Sequence, residues 1–105
     1  MAMAFKIEYI STFYRDVMEV VSHLEEYPQK AKRIFEKLDN KLPNLTMYPE
    51  MYPVYPDFPE FRRFIVEDYL VFYVVNEQDG IIEIHRLIYG GMDVIAQLIG
   101  DDTEP

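Results

Sequence analysis

The chain has no cysteine among its 105 residues and only two histidines, His23 and His85. Without cysteine there are no disulfides and no thiolate-held metal, and two histidines alone make a poor transition-metal site. No cofactor and no metal are expected. No apolar run approaches the ~18 residues of a membrane-spanning helix. Met1-Ala-Met-Ala-Phe-Lys-Ile7 lacks the basic-then-apolar order of a secretory signal, so a cytoplasmic protein is expected. Phosphate-cradling glycine loops, metal motifs and nucleophile elbows are missing as well. No internal repeat is visible, and residues 1–105 read as one domain whose last residues, from about 100, form a frayed acidic tail.

Positive charge is scarce. Ten basic against nineteen acidic residues give a net charge of −9, which repels a phosphate backbone at long range. The cations that exist are clustered. Lys30, Lys32, Arg33, Lys37 and Lys41 share one segment, while Arg62, Arg63 and Arg86 fall on predicted strands.

What is abundant is apolar residues, half of the chain, and they are periodic. Phe5–Ile10 alternates as a half-buried strand does. Ser11 or Thr12 can cap a following helix, with Asp16 near its positive end. Ile10, Phe13, Tyr14, Val17, Met18, Val21 and Leu24 form one stripe at helical spacing. Tyr27-Pro28 breaks that helix. A second helix is expected from about Gln29 to Leu42, with Ala31, Ile34, Phe35, Leu38 and Leu42 facing the core and Pro43 ending it. The short connection makes the two helices antiparallel neighbours.

Residues 43–60 carry Pro43, Pro49, Pro53, Pro56 and Pro59 together with Tyr48, Tyr52, Tyr55 and Phe58. Proline at this density forbids a helix or a central strand. The aromatic side chains either pack over the helices or, in Tyr52 and Tyr55, offer a partner-binding surface. Three strands follow. On Tyr69–Asn76 the odd and even positions are both largely apolar, as in a central strand. Gln78-Asp79-Gly80 is a hairpin turn. Ile82, Ile84, Arg86 and Ile88 alternate with Glu83, His85, Leu87 and Tyr89, then Gly90-Gly91 stops the strand and Met92–Ile99 reads as a short helix. The fold class is α+β: an N-terminal strand, an antiparallel helical hairpin, and a three-stranded antiparallel meander completing one twisted sheet.

Chemistry on a phosphodiester needs positive charge for the anionic transition state and a group to move protons. Arg63 and Arg86, each on an otherwise apolar strand face, fit the first role, and Tyr89 at the strand's end fits the second. The structural alternative is an ion pair, with Glu67 or Asp93 as partner. Arg62 reads as a surface charge. His85, beside Glu83 and away from Arg86, reads as a solvated or hydrogen-bonded histidine, and His23 as exposed. The basic helix reads as a solvated face with pairs such as Lys32–Glu36.

The order of these elements resembles the RelE/ParE superfamily of bacterial toxins, plasmid-stabilisation proteins of type II toxin–antitoxin systems. Tyr69-Leu-Val-Phe-Tyr73 is similar to that family's Tyr-Arg-Val-Phe-Tyr strand, and Ile82–Ile88, with Arg86, to its last strand. Asp16, Pro28, Ala31 and the Pro/Tyr connector echo it too. Where many members carry His-Gly-Arg-Arg-Asp, this chain has Tyr89-Gly-Gly-Met-Asp93, and Leu70 replaces the arginine of the central strand. The resemblance implies a cognate antitoxin as partner, and as target either ribosome-bound mRNA or DNA gyrase. In a ribosome-dependent endoribonuclease Arg63, Arg86 and Tyr89 would carry the chemistry. The gyrase branch needs no catalytic residue. A protein-interaction module on the same fold is the alternative, with Tyr52 and Tyr55 as contacts. Exposed aromatics with Met47 and Met51 leave a dimer open.

Overall fold

The computed structural model describes residues 4–91 and 93–100. Strand β1 (Lys6–Tyr9) leads into helices α1 (Ser11–His23) and α2 (Pro28–Met47). Strands β2 (Arg62–Val66), β3 (Tyr69–Asn76) and β4 (Ile81–Tyr89) follow, and α3 (Val94–Gly100) closes the chain. The single sheet has the order β1-β4-β3-β2: β2, β3 and β4 form the expected antiparallel meander, and β1 joins β4 in parallel.

The helical hairpin covers one face of the sheet. Phe13, Val20 and Leu24 of α1 and Ile34, Leu38 and Leu45 of α2 bury against Phe64, Val66, Val71, Tyr73, Ile82, Ile84 and Leu87. Removing such side chains from water supplies most of the folding free energy, roughly 1.5–3 kcal/mol for each large one. The opposite face carries a smaller cluster, Phe72, Ile88 and Leu98, with Tyr55, Phe58, Phe61, Leu70 and Val94 packed around it. The two faces of β3 thus divide as its alternation predicts.

Three expectations about the helices are corrected. No side chain caps α1: its cap residue is Ile10, and the Thr12 hydroxyl instead donates to the His85 carbonyl, 2.7 Å away. The buried stripe of α1 is also rotated, taking in Asp16 and Val20 and leaving Tyr14, Met18 and Val21 exposed. Finally, α2 runs through Pro43 to Met47. Proline removes one hydrogen bond from the helix, but the continuation fully buries Leu45 and lets the Thr46 carbonyl accept from the Phe5 N–H at 2.9 Å. Tertiary packing outweighs the local breaker.

Of the connector's aromatics only some pack on the helix side, as Tyr52 does. The connector wraps the β2 edge, where Val54 bridges Arg62. Tyr52 lands on the helix side, 4.9 Å from the Phe64 ring, and Tyr55 on the other side, 5.1 Å from the Phe72 ring. Arg62 is the clasp: its guanidinium donates to the Tyr52 carbonyl at 2.8 Å and lies 3.8 Å from the Glu50 carboxylate, so it is more than a surface charge.

The two-residue β2–β3 turn places Glu67 at φ 55. Tight hairpins need positive φ, which glycine supplies without strain and glutamate does not. The compensation is electrostatic: Arg33 and Lys37 of α2 donate to Glu67 at 2.7 and 2.8 Å, and Lys30 reaches Asp68 at 3.2 Å. The basic face of α2 is thereby spent on fixing this turn. At the next hairpin Gly80 takes φ 67, as its turn requires.

Candidate functional site

Strand β4 is paired to β1 only as far as Ile84. Beyond it the strand's outer edge has no ladder partner, and α1 supplies substitutes. Thr12 takes the His85 carbonyl, and an oxygen of Asp16 accepts the Leu87 N–H at 2.9 Å. Asp16 also receives two bonds from Arg86, Nε at 2.7 Å and Nη2 at 3.2 Å. The third nitrogen of Arg86, Nη1, donates to the Gln97 carbonyl of α3 at 3.0 Å. Asp16 and Arg86 are 4% and 6% exposed. A bidentate guanidinium–carboxylate pair is among the strongest side-chain contacts, and here it joins α1, β4 and α3. Its partner is neither Glu67 nor Asp93. Asp93 instead accepts the Ala96 N–H at 3.0 Å and starts α3.

A bulge sets the direction of these side chains. Phe72 pairs with Arg86 and Tyr73 with Ile84, so His85 has no opposite residue on β3. One extra residue inverts the alternation. Ile82, Ile84 and Leu87 therefore face the helices while Ile88 faces the second cluster. Arg86 does not share the face of Ile84, as strict alternation would have it. His85 does sit by Glu83, Nε2 to Oε1 at 3.1 Å, with its ring 5.3 Å from that of Phe61.

Arg63 lies across the sheet, opposite Phe72. Its guanidinium is over the Tyr55 ring at 5.5 Å, and its Nε is buried with no hydrogen-bond partner. Tyr89, 44% exposed, pairs with Tyr69 at the other end of the strand, ring to ring at 5.7 Å. Tyr69 belongs to the helix-side core, so Tyr89 opens toward that side and Arg63 toward the other. Its ring covers Gly91, where a Cβ would come within 2.5 Å of it. Arg63, Arg86 and Tyr89 therefore do not converge on one point. Nor do Tyr52 and Tyr55, which lie on opposite faces; Tyr52 packs on Phe64 and carries Lys41 at 5.8 Å over its ring.

Among the described residues no cluster of three or more His, Asp or Glu side chains could hold a metal ion, and no helix is long and apolar enough to cross a membrane. The residue that sequence reasoning undervalued is Asp16. Its signal was present: an acid between Phe13 and Val20 on the stripe that buries.

Residues 7–94 match the profile of the ParE toxin of type II toxin–antitoxin systems, parDE. The chain belongs to the ParE toxin family of these systems. Solved structures agree on the fold. A chromosomal ParDE toxin–antitoxin structure from Pseudomonas aeruginosa superposes with TM-score 0.65 at 15% identity, covering 82% of this chain and 96% of that one. The Mycobacterium tuberculosis RelBE2 toxin–antitoxin complex gives TM-score 0.61 at 12% identity, over 83% and 99% of the two chains. A metal-bound toxin from Helicobacter pylori gives 0.55 at 19%, over 83% and 96%. No curated protein matches by sequence.

Proposed function

We propose that this chain is a toxin that acts on a protein target, DNA gyrase, rather than by cutting mRNA, and that a cognate antitoxin silences it in the cytoplasm. The observation that carries this reading is the state of Arg86. All three of its nitrogens are engaged, and the group is buried. A phosphate could recruit it only by breaking the Asp16 pair and leaving a buried carboxylate uncompensated. Tyr89 faces away from Arg63, and a net charge of −9 opposes docking on RNA. ParE-like action through surface contacts asks for none of these groups.

Antitoxin binding has support of its own. Tyr14, Met18 and Val21 are 56%, 70% and 49% exposed, at helical spacing along α1. An apolar row of this kind suits the apolar face of an amphipathic helix. The test is inducible expression of the chain alone in a bacterial host. The expected result is growth arrest with DNA-damage signalling and trapped gyrase–DNA complexes while mRNA stays intact. Rapid loss of translation with cleaved mRNA would overturn the gyrase reading.

A further inference from the structure

We propose that the aromatic bowl around Arg63 is a docking site for one carboxylate carried on an apolar stretch of a protein partner. The inference deepens the function above and rests on its choice of a protein over a nucleic acid. Arg33, Arg62 and Arg86 each reach a carboxylate, whereas the Arg63 side chain has no hydrogen bond or ion pair among the described residues. Its Nε is the one buried side-chain nitrogen or oxygen left without a partner there. An unsatisfied buried donor is costly, and a charged one more so. Carboxylates are not in short supply in a chain with nineteen acidic residues. Asp57 and Glu60 are exposed on the connector that carries Tyr55 and Phe58, and neither pairs with Arg63.

The surroundings indicate what fits. Tyr55 and Phe58 lie parallel, centroids 6.4 Å apart, and Tyr55 and Phe61 both set their rings edge-on to Phe72. Tyr55, Phe58 and Phe61 are only partly buried, so they present apolar surface around a fixed cation. Stacking on Tyr55 holds the guanidinium in one plane, and a planar fork of this kind matches a carboxylate or a phosphate. The walls and the net charge choose between them. A nucleic acid would bring one charge per phosphate against a body of −9, whereas a lone Asp or Glu brings one charge and flanking side chains for the rings. The guanidinium lies over the Tyr55 ring, which stacks on Phe58, so those two rings should report the carboxylate's arrival.

The probes are three: acetyl-Leu-Glu-Leu-amide, its Gln counterpart and a short oligouridylate, each titrated into the labelled whole chain and followed by NMR. The Glu peptide is expected to shift the Arg63 Nε–H signal and the Tyr55 and Phe58 ring signals. The Gln peptide should bind at least about tenfold more weakly. Arg63→Gln, or Arg63→Met if the first does not fold, should erase the difference. Equal binding of the two peptides, or no shift with either, would overturn the carboxylate site and leave the gyrase reading standing. Tighter binding of the oligouridylate at the same signals would overturn both.

Discussion

Two arginines that flank the same residue, Phe72, show how differently the same side chain can be used. At the end of β4, Arg86 is buried and fully engaged, and with Asp16 it ties two helices to the strand. On β2, Arg63 is stacked on an aromatic ring and keeps a buried donor unsatisfied. The contrast teaches that an arginine on an apolar strand face is not in itself a sign of chemistry. What matters is whether the fold has already used its hydrogen bonds. By that criterion Arg86 is a strut and Arg63 is poised for a ligand.

The sharpest way to break this comparison is to truncate both. Arg86→Ala leaves Asp16 buried without its cation and should cost about 3–5 kcal/mol in denaturant unfolding. A loss under about 1 kcal/mol would show that the pair is not the junction described. Next in size is Tyr73, whose hydroxyl donates to the Pro49 carbonyl at 2.8 Å. Tyr73→Phe should cost about 1 kcal/mol. Burial pushes the Tyr73 hydroxyl up to about 12 from 10.0, so its contribution is complete below 10.0 and is lost as pH rises through about 12. Alkaline unfolding should therefore be steeper in the unaltered protein than in Tyr73→Phe.

Smaller still is the clamp on the strained turn. Hydrogen bonds from Lys37, then from Arg33, hold the Glu67 carboxyl below its ordinary value of 4.5. The ionised form is favoured in the fold, so its contribution is present above 4.5 and is lost as pH falls below it. Glu67→Gln should flatten the acid limb of the stability profile, read as melting temperature against pH. At the bottom of the scale, Arg63→Ala should change stability by less than about 0.5 kcal/mol, or raise it, because no hydrogen bond is lost and an unsatisfied buried donor is removed.

Much of the fold was legible because it follows local periodicity. The two faces of β3, the Tyr27-Pro28 break, the Gly80 turn and the order of the elements all come from spacings of two or of three and four. The misreadings share a cause in distant contacts. Nothing near Pro43 reveals that Leu45 will be fully buried or that Phe5 will bond Thr46. The bulge at His85 leaves no mark in an alternating strand, yet it decides where Arg86 points. The α1 stripe turns because Asp16 is drawn to a residue seventy positions away. For the candidate site, residue types and strand positions could be read in advance, but convergence could not. That depends on which face each strand end shows, and Arg63 and Tyr89 show different ones.

The most direct test of the account removes both charges from the Asp16–Arg86 pair while leaving polar side chains in their place. An Asp16→Asn, Arg86→Gln double variant retains an acceptor for the Leu87 N–H, and circular dichroism would confirm its fold. The account predicts that this variant arrests growth as the unaltered chain does, with the same gyrase signature. A folded double variant that no longer arrests growth would contradict it and return Arg86 to the chemistry.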